Sequence, residues 1–187
     1  MARILILLFT LWLTADAFGS TGDRIVEGAR RQLASPAVYT PGYFRISYPN
    51  GDLPSGQGVC TDVVVRSLRY AGYDLQRLIH EDMRANFSRY PRRESKPDSN
   101  IDHRRVPNLI HFFRTYGRKL TTDATAISAW RPGDFVFWKL ANGLDHCGVI
   151  SDRKNAQGVP LVIHNISKTA EEDVLGSWKI VGHYRYP

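Results

Sequence analysis

Apolar residues recur along the chain in two rhythms, and the change between them divides it. In "STGDRIVEGARRQLA", Ile25, Val26, Ala29 and Leu33 follow a run of capping residues at helical spacing, which predicts a first helix. In "GQGVCTDVVVRSLRYAGYDL", residues 56–75, one helical face collects Cys60, Val63, Val64, Ser67, Leu68 and Ala71, and Gly72 is placed to stop it. "DLQRLIHEDMRANFSRY" predicts a further amphipathic helix. "VPNLIHFFRTYGRKL" predicts another, with Pro107 near its first turn and Gly117 past its end. The rhythm then shortens. "WRPGDFVFWKL", "HCGVISD", "PLVIHNI" and "KIVGHYRYP" each read as a strand, with breaks at Pro132-Gly133 and at residues 155–158. The Tyr-, Pro- and Gly-rich stretch between the first two helices reads as irregular, and "PRRESKPDSNIDHRR" as a polar connection. Helices first and meandering strands afterwards predict an α+β domain.

The first residues break this scheme. "MARILILLFTLWLTADAF" has a basic start at Arg3, an apolar run from Ile4 to Leu13 interrupted by Thr10, and Ala15-Asp16-Ala17 where a peptidase would cut. The run is short for a membrane-spanning helix. Residues 1–17 are therefore expected to be a signal peptide, leaving residues 18–187 as one exported domain without a stable membrane anchor. The formal charge of the 187-residue chain is +7, and loss of Arg3 and Asp16 together leaves it unchanged. Such a charge favours polyanionic surfaces such as an anionic cell wall or membrane. No nucleic-acid motif accompanies the scattered basic residues, so nucleic acid is not an expected partner.

Two cysteines in an exported chain ordinarily suggest a disulfide. Cys60, however, falls in the first turn of a helix, where unpaired N–H groups and the helix dipole lower a thiol pKa. A nucleophilic thiol also needs a base and an orienting group. His146 begins one predicted strand and His164 ends the next. In a hairpin turning through "DRKNAQG" the two would be neighbours, a base and its orienter. If His146 points at Cys60, alternation along the strand turns Cys147 away, which argues against a Cys60–Cys147 bridge and leaves Cys147 as a small core residue. A buried, chemically idle Cys60 and zinc ligation by Cys60, His146 and His164 with Asp145 nearby remain open; no compact ligand spacing supports the metal. His80, His103, His111 and His183 have no partner that the sequence identifies.

Cys60 at a helix start, "RPGDFVFW", "HCGV" and His164 resemble the motifs of the NlpC-like cell-wall cysteine peptidases, a branch of the papain-like fold. That resemblance implies a papain-like fold with N-terminal helices packed on a C-terminal antiparallel sheet. It also implies a Cys60–His146–His164 triad and no metal or organic cofactor. The family carries a tyrosine about a dozen residues before the cysteine that helps hold the oxyanion, and Tyr48 occupies the matching place. Val59 stands where those peptidases have an Asp that binds a substrate amine. Asp62, two residues beyond Cys60, is a candidate for substrate contact or for a helix cap. "YPNGD", "GVCTDVV", "NIDHRRVPNL", "GVISD" and "GHYRYP" more closely resemble an uncharacterised family of exported bacterial proteins within that superfamily, which implies a periplasmic location.

The expected function is that of a thiol hydrolase cleaving an amide in peptidoglycan stem peptides or muropeptides. The same fold also hosts lipid acyl transfer, and a non-catalytic wall-binding domain would use the same basic surface.

Overall fold

The computed structural model describes residues 19–91 and 95–187. The expected signal peptide, residues 1–17, lies outside the described residues. Four helices come first: α1 (Thr21–Ala34), α2 (Cys60–Tyr70), α3 (Leu75–Asn86) and α4 (Val106–Tyr116). The opening of α1 is a capping box, in which the Ser20 hydroxyl accepts from the Asp23 N–H and the Asp23 carboxylate accepts from the Ser20 N–H. Two short strands, β1 (Val38–Tyr39) and β2 (Gln57–Gly58), pair in parallel between α1 and α2. The remaining strands are β3 (Arg118–Lys119), β4 (Phe135–Lys139), β5 (Asp145–Lys154), β6 (Pro160–Asn165), β7 (Thr169–Glu172) and β8 (Lys179–Arg185). They form a six-stranded antiparallel sheet in the order β3-β8-β4-β5-β6-β7.

Alternation along these strands builds two cores. Phe135 and Phe137 of β4, Cys147 and Val149 of β5 and Ile163 of β6 join Val63, Val64 and Leu68 of α2 and Phe113 of α4. Phe113 stacks on Phe135 with ring centroids 4.8 Å apart. Deleting a buried aromatic of this kind costs about 3–5 kcal/mol. The opposite face packs Val136, Trp138, Ile150 and Val162 against Trp130 and Leu175, and the Trp138 indole N–H donates to the Leu175 carbonyl at 3.0 Å. Covered on both sides, β4 reads in sequence as a continuous apolar run rather than an alternating one. Helices packed on an antiparallel sheet make this an α+β protein. Among the described residues no helix is long and apolar enough to cross a membrane.

The Asp of "RPGD" has a structural task. Asp134 is fully buried and accepts from the Arg131 backbone N–H and from Arg185, with the His183 ring 2.9 Å away. Burial alone would raise its pKa, and the His183 and Arg185 contacts bring it below the usual value. This clip joins the turn before β4 to β8.

Candidate active site

Cys60 is the first residue of α2 and is 5 % exposed. Its helix start is fixed by Asp62, whose carboxylate accepts from the Val59 N–H at 2.7 Å. The same carboxylate pairs with Arg104, Nε to Oδ1 at 3.0 Å, and both side chains are almost wholly buried. Arg104 also donates to the Gly42 carbonyl at 3.1 Å. Asp62 is thus committed to a cap and an ion pair. Of its two sequence roles, the structure places it in the cap.

His146 opens β5 and His164 closes β6. The rings meet with His146 Nε2 2.9 Å from His164 Nδ1, which leaves Nδ1 of His146 as the nitrogen available to the thiol. Trp138 stacks on His146 at 5.6 Å and Trp178 approaches both rings edge-on. These indoles hold the pair in an apolar box. Burial and the neighbouring His146 bring His164 down to about 4, so its ring is neutral at ordinary pH.

The Cys60 thiol is brought down to about 5. The adjacent side chain of Cys147 is the largest cause; burial opposes it, and His146 and the Cys147 backbone N–H add to the lowering. Cys147 itself is pushed up by burial and by the adjacent Cys60 sulfur. This corrects the expectation that Cys147 turns away from Cys60. Alternation does send His146 and Cys147 to opposite faces, His146 among the tryptophans and Cys147 into the helix-side core. But the paired residues of β5 and β6 end at Gly148 and His164, and the next residue of β5, Cys147, lies close enough to the Cys60 sulfur for its side chain and backbone N–H both to influence that thiol. At this open end of the ladder one atom meets both faces. Both cysteines are free thiols.

Tyr48 is not brought to this site. It is 42 % exposed, and its ring packs edge-on against His80 of α3 with centroids 5.2 Å apart. The tyrosine beside Cys60 is Tyr39. β1 is held between the residues before Cys60 and those after β6: Thr40 N–H donates to Gly58 O at 2.8 Å, Tyr39 N–H to Ser167 O at 2.7 Å, and Asn165 Nδ2 to Ala37 O at 2.9 Å. Tyr39 and Cys60 share the lining of a cavity of about 170 Å³ with Thr61, Arg104, Arg105, Asn108, Leu144 and Asp145. The Tyr39 phenol is raised, first by burial and then by the Cys60 sulfur, which keeps its O–H protonated as a donor. Three tyrosines, at 39, 43 and 48, lie in the irregular segment before Cys60. Only the pairing of β1 with β2 selects Tyr39, and two-residue strands leave no periodic signal.

The other histidines have local roles. His80 Nδ1 is 2.9 Å from Asp102 Oδ2, His183 belongs to the Asp134 clip, and His111 packs on Tyr90 at 4.3 Å. His103 is 1 % exposed with Nδ1 unpartnered, and burial, with nearby Arg104 and Arg69, brings it down to about 3. Among the described residues no group of three or more His, Cys, Asp or Glu is arranged to hold a metal ion.

Fold and site together define an α+β protein with a cysteine at a helix start, facing two linked histidines at one end of an antiparallel sheet. The chain belongs to the family described as "Domain of unknown function (DUF1287)", which matches residues 26–186. It is similar to "Uncharacterized protein YijF" of Escherichia coli (strain K12), 51 % identical over 170 residues, which cover 89 % of this chain and 82 % of that protein. No solved structure matches it.

Proposed function

We propose that the protein is an exported thiol hydrolase of the NlpC-like, papain-fold type that cleaves an amide in peptidoglycan stem peptides or their fragments. The observation that carries this reading is the line from Cys60 at the α2 N-terminus through His146 to His164, with the thiol brought down to about 5. A thiolate at neutral pH is the form that attacks carbonyl carbon.

In the proposed cycle, His146 takes the thiol proton and Cys60 adds to the amide carbonyl. The oxyanion is received by the Cys60 backbone N–H, an unsatisfied donor of the first helical turn, and by the Tyr39 hydroxyl. His146 then gives its proton to the departing amine as the C–N bond breaks, leaving a thioester. Water, deprotonated by His146, adds to the thioester, and the acid and the thiol are restored. The small cavity beside Cys60, lined by Arg104, Arg105, Asn108 and Asp145 as well as by Val59, Val106 and Pro107, suits a peptide. The basic net charge suits an anionic wall.

The test is mass spectrometry of sacculi and soluble muropeptides incubated with wild-type protein and with Cys60→Ala. Fragments made by the wild type alone would support the reading and identify the bond from their masses. Equal fragments from both would exclude Cys60 as nucleophile. Sacculus binding without cleavage would favour a wall-binding domain.

A further inference from the structure

One buried polar atom at the end of the histidine line lacks an aligned hydrogen-bond partner: Nε2 of His164. The residue is 1 % exposed. Glu172 Oε2 lies 2.8 Å from that nitrogen, yet off the direction of the ring N–H, so the contact is a close approach and not a formed hydrogen bond. The sheet brings the two together. Across β6 and β7, His164 is registered with Ala170, and Glu172 with Val162. Glu172 and Ala170 share a face, so Glu172 is the diagonal neighbour of His164. The Glu172 side chain is 47 % exposed and its terminal torsion is soft, so a modest rotation aligns it. Trp138 and Trp178 approach the His164 ring edge-on and nearly so, at 6.4 and 6.2 Å, and neither indole can accept its proton in the ring plane.

We propose that Glu172 is a positioning residue that accepts the His164 Nε2–H and thereby fixes the tautomer of the whole line. A neutral imidazole carries one N–H. With it on Nε2, His164 presents the Nδ1 lone pair to the Nε2–H of His146, and Nδ1 of His146 is free to take the proton of Cys60. With it on Nδ1, His164 would donate to Nε2 of His146. A neutral His146 would then hold its own proton on Nδ1, and the thiol would lose its acceptor. The acidic "EED" run at residues 171–173 gave no sequence sign of this, because alternation decides which glutamate faces the histidine. The purpose assigned to Glu172 rests on the thiol-hydrolase reading; its contact with His164 does not.

The experiment is long-range 1H–15N correlation of the histidine rings at neutral pH in the full chain, for wild type, Glu172→Gln, Glu172→Ala and Glu171→Gln. Iodoacetamide alkylation of Cys60 against pH is measured in parallel. The expected result is the Nε2–H tautomer of His164 in wild type and Glu172→Gln, whose amide oxygen still accepts. Glu172→Ala should populate the Nδ1–H tautomer and move the alkylation midpoint upward by roughly half a unit. Glu171→Gln removes the same charge from the other face and should change neither. An unchanged His164 tautomer in Glu172→Ala, or a mixture already in the wild type, overturns the proposal. If the wild-type thiol titrates in its ordinary range while the tautomer still follows Glu172, the positioning contact stands and the hydrolase reading fails.

Discussion

His146 and His164 meet at 2.9 Å, Nε2 to Nδ1, although they are not opposite each other in the sheet. His164 is registered with Gly148, and His146 lies two residues before it on the same face. The diagonal contact works because the residue between the two rings is glycine. A Cβ at Gly148 would sit 2.6 Å from Val162 Cγ1 and 3.1 Å from the His164 Cβ.

Gly148→Ala should therefore displace His164 from His146. The overlap falls on a fully buried valine, so a loss of about 1–3 kcal/mol is expected on overpacking grounds. Urea denaturation measures it, and the histidine ring correlations should show that the His146–His164 contact is lost. A protein of wild-type stability and unchanged ring shifts would contradict the packing described here.

The Cys147 side chain lies beside the Cys60 sulfur and is the largest influence lowering that thiol. Cys147→Ala should raise the pH midpoint of Cys60 alkylation, while Cys147→Ser, which keeps a donor, should raise it less. Identical profiles for all three proteins would mean that Cys147 is only a core residue.

The buried pair of Asp62 and Arg104 joins the start of α2 to the turn before α4. Removing one partner leaves an uncompensated buried charge, at a cost of about 3–5 kcal/mol. Asp62→Ala, which also removes the cap on Val59, should be the more damaging change, and Arg104→Met the lesser. Thermal unfolding of the two variants decides their order, and a melting point near wild type for either would refute the pairing.

His103 and His164 are held neutral, at about 3 and about 4, against an ordinary value of 6.5. Since both folded values are depressed, the unfolded chain binds more protons below 6.5, and stability falls as pH drops from there toward 3. His111, also lowered by burial, adds to the same slope, whereas Asp102, raised by burial, opposes it. Denaturant titrations between pH 4 and 6.5 should show His103→Gln with a slope flatter by about one proton than wild type. Parallel curves would show that His103 is not buried as a neutral ring.

The strongly periodic parts of the fold were legible in the sequence. Four helices and the strands β4, β5, β6 and β8 follow from apolar spacing and from glycine and proline punctuation, as does the position of Cys60 at a helix start. The approach of His146 and His164 was legible too, because a hairpin brings the start of one strand beside the end of the next. What stayed hidden depends on backbone pairing that carries no apolar rhythm. β7 is a partly exposed edge strand reading "TAEE", so neither it nor Glu172 announced itself. Tyr39 was indistinguishable from Tyr48 until β1 was seen paired with β2. The core position of Cys147 was legible, but its nearness to Cys60 was not, because alternation assumes that a neighbour lies above one face of a sheet, whereas Cys60 reaches the end of a ladder, where both faces are within range.

The most direct test of the account is the rate of Cys60 alkylation by iodoacetamide against pH, read by mass spectrometry, in wild type and in His146→Ala. A thiolate held by His146 should give a wild-type midpoint near 5 that moves upward when His146 is removed. A wild-type midpoint near the ordinary thiol value of about 8.5, or one indifferent to His146→Ala, would contradict the claim that this helix start carries an activated nucleophile.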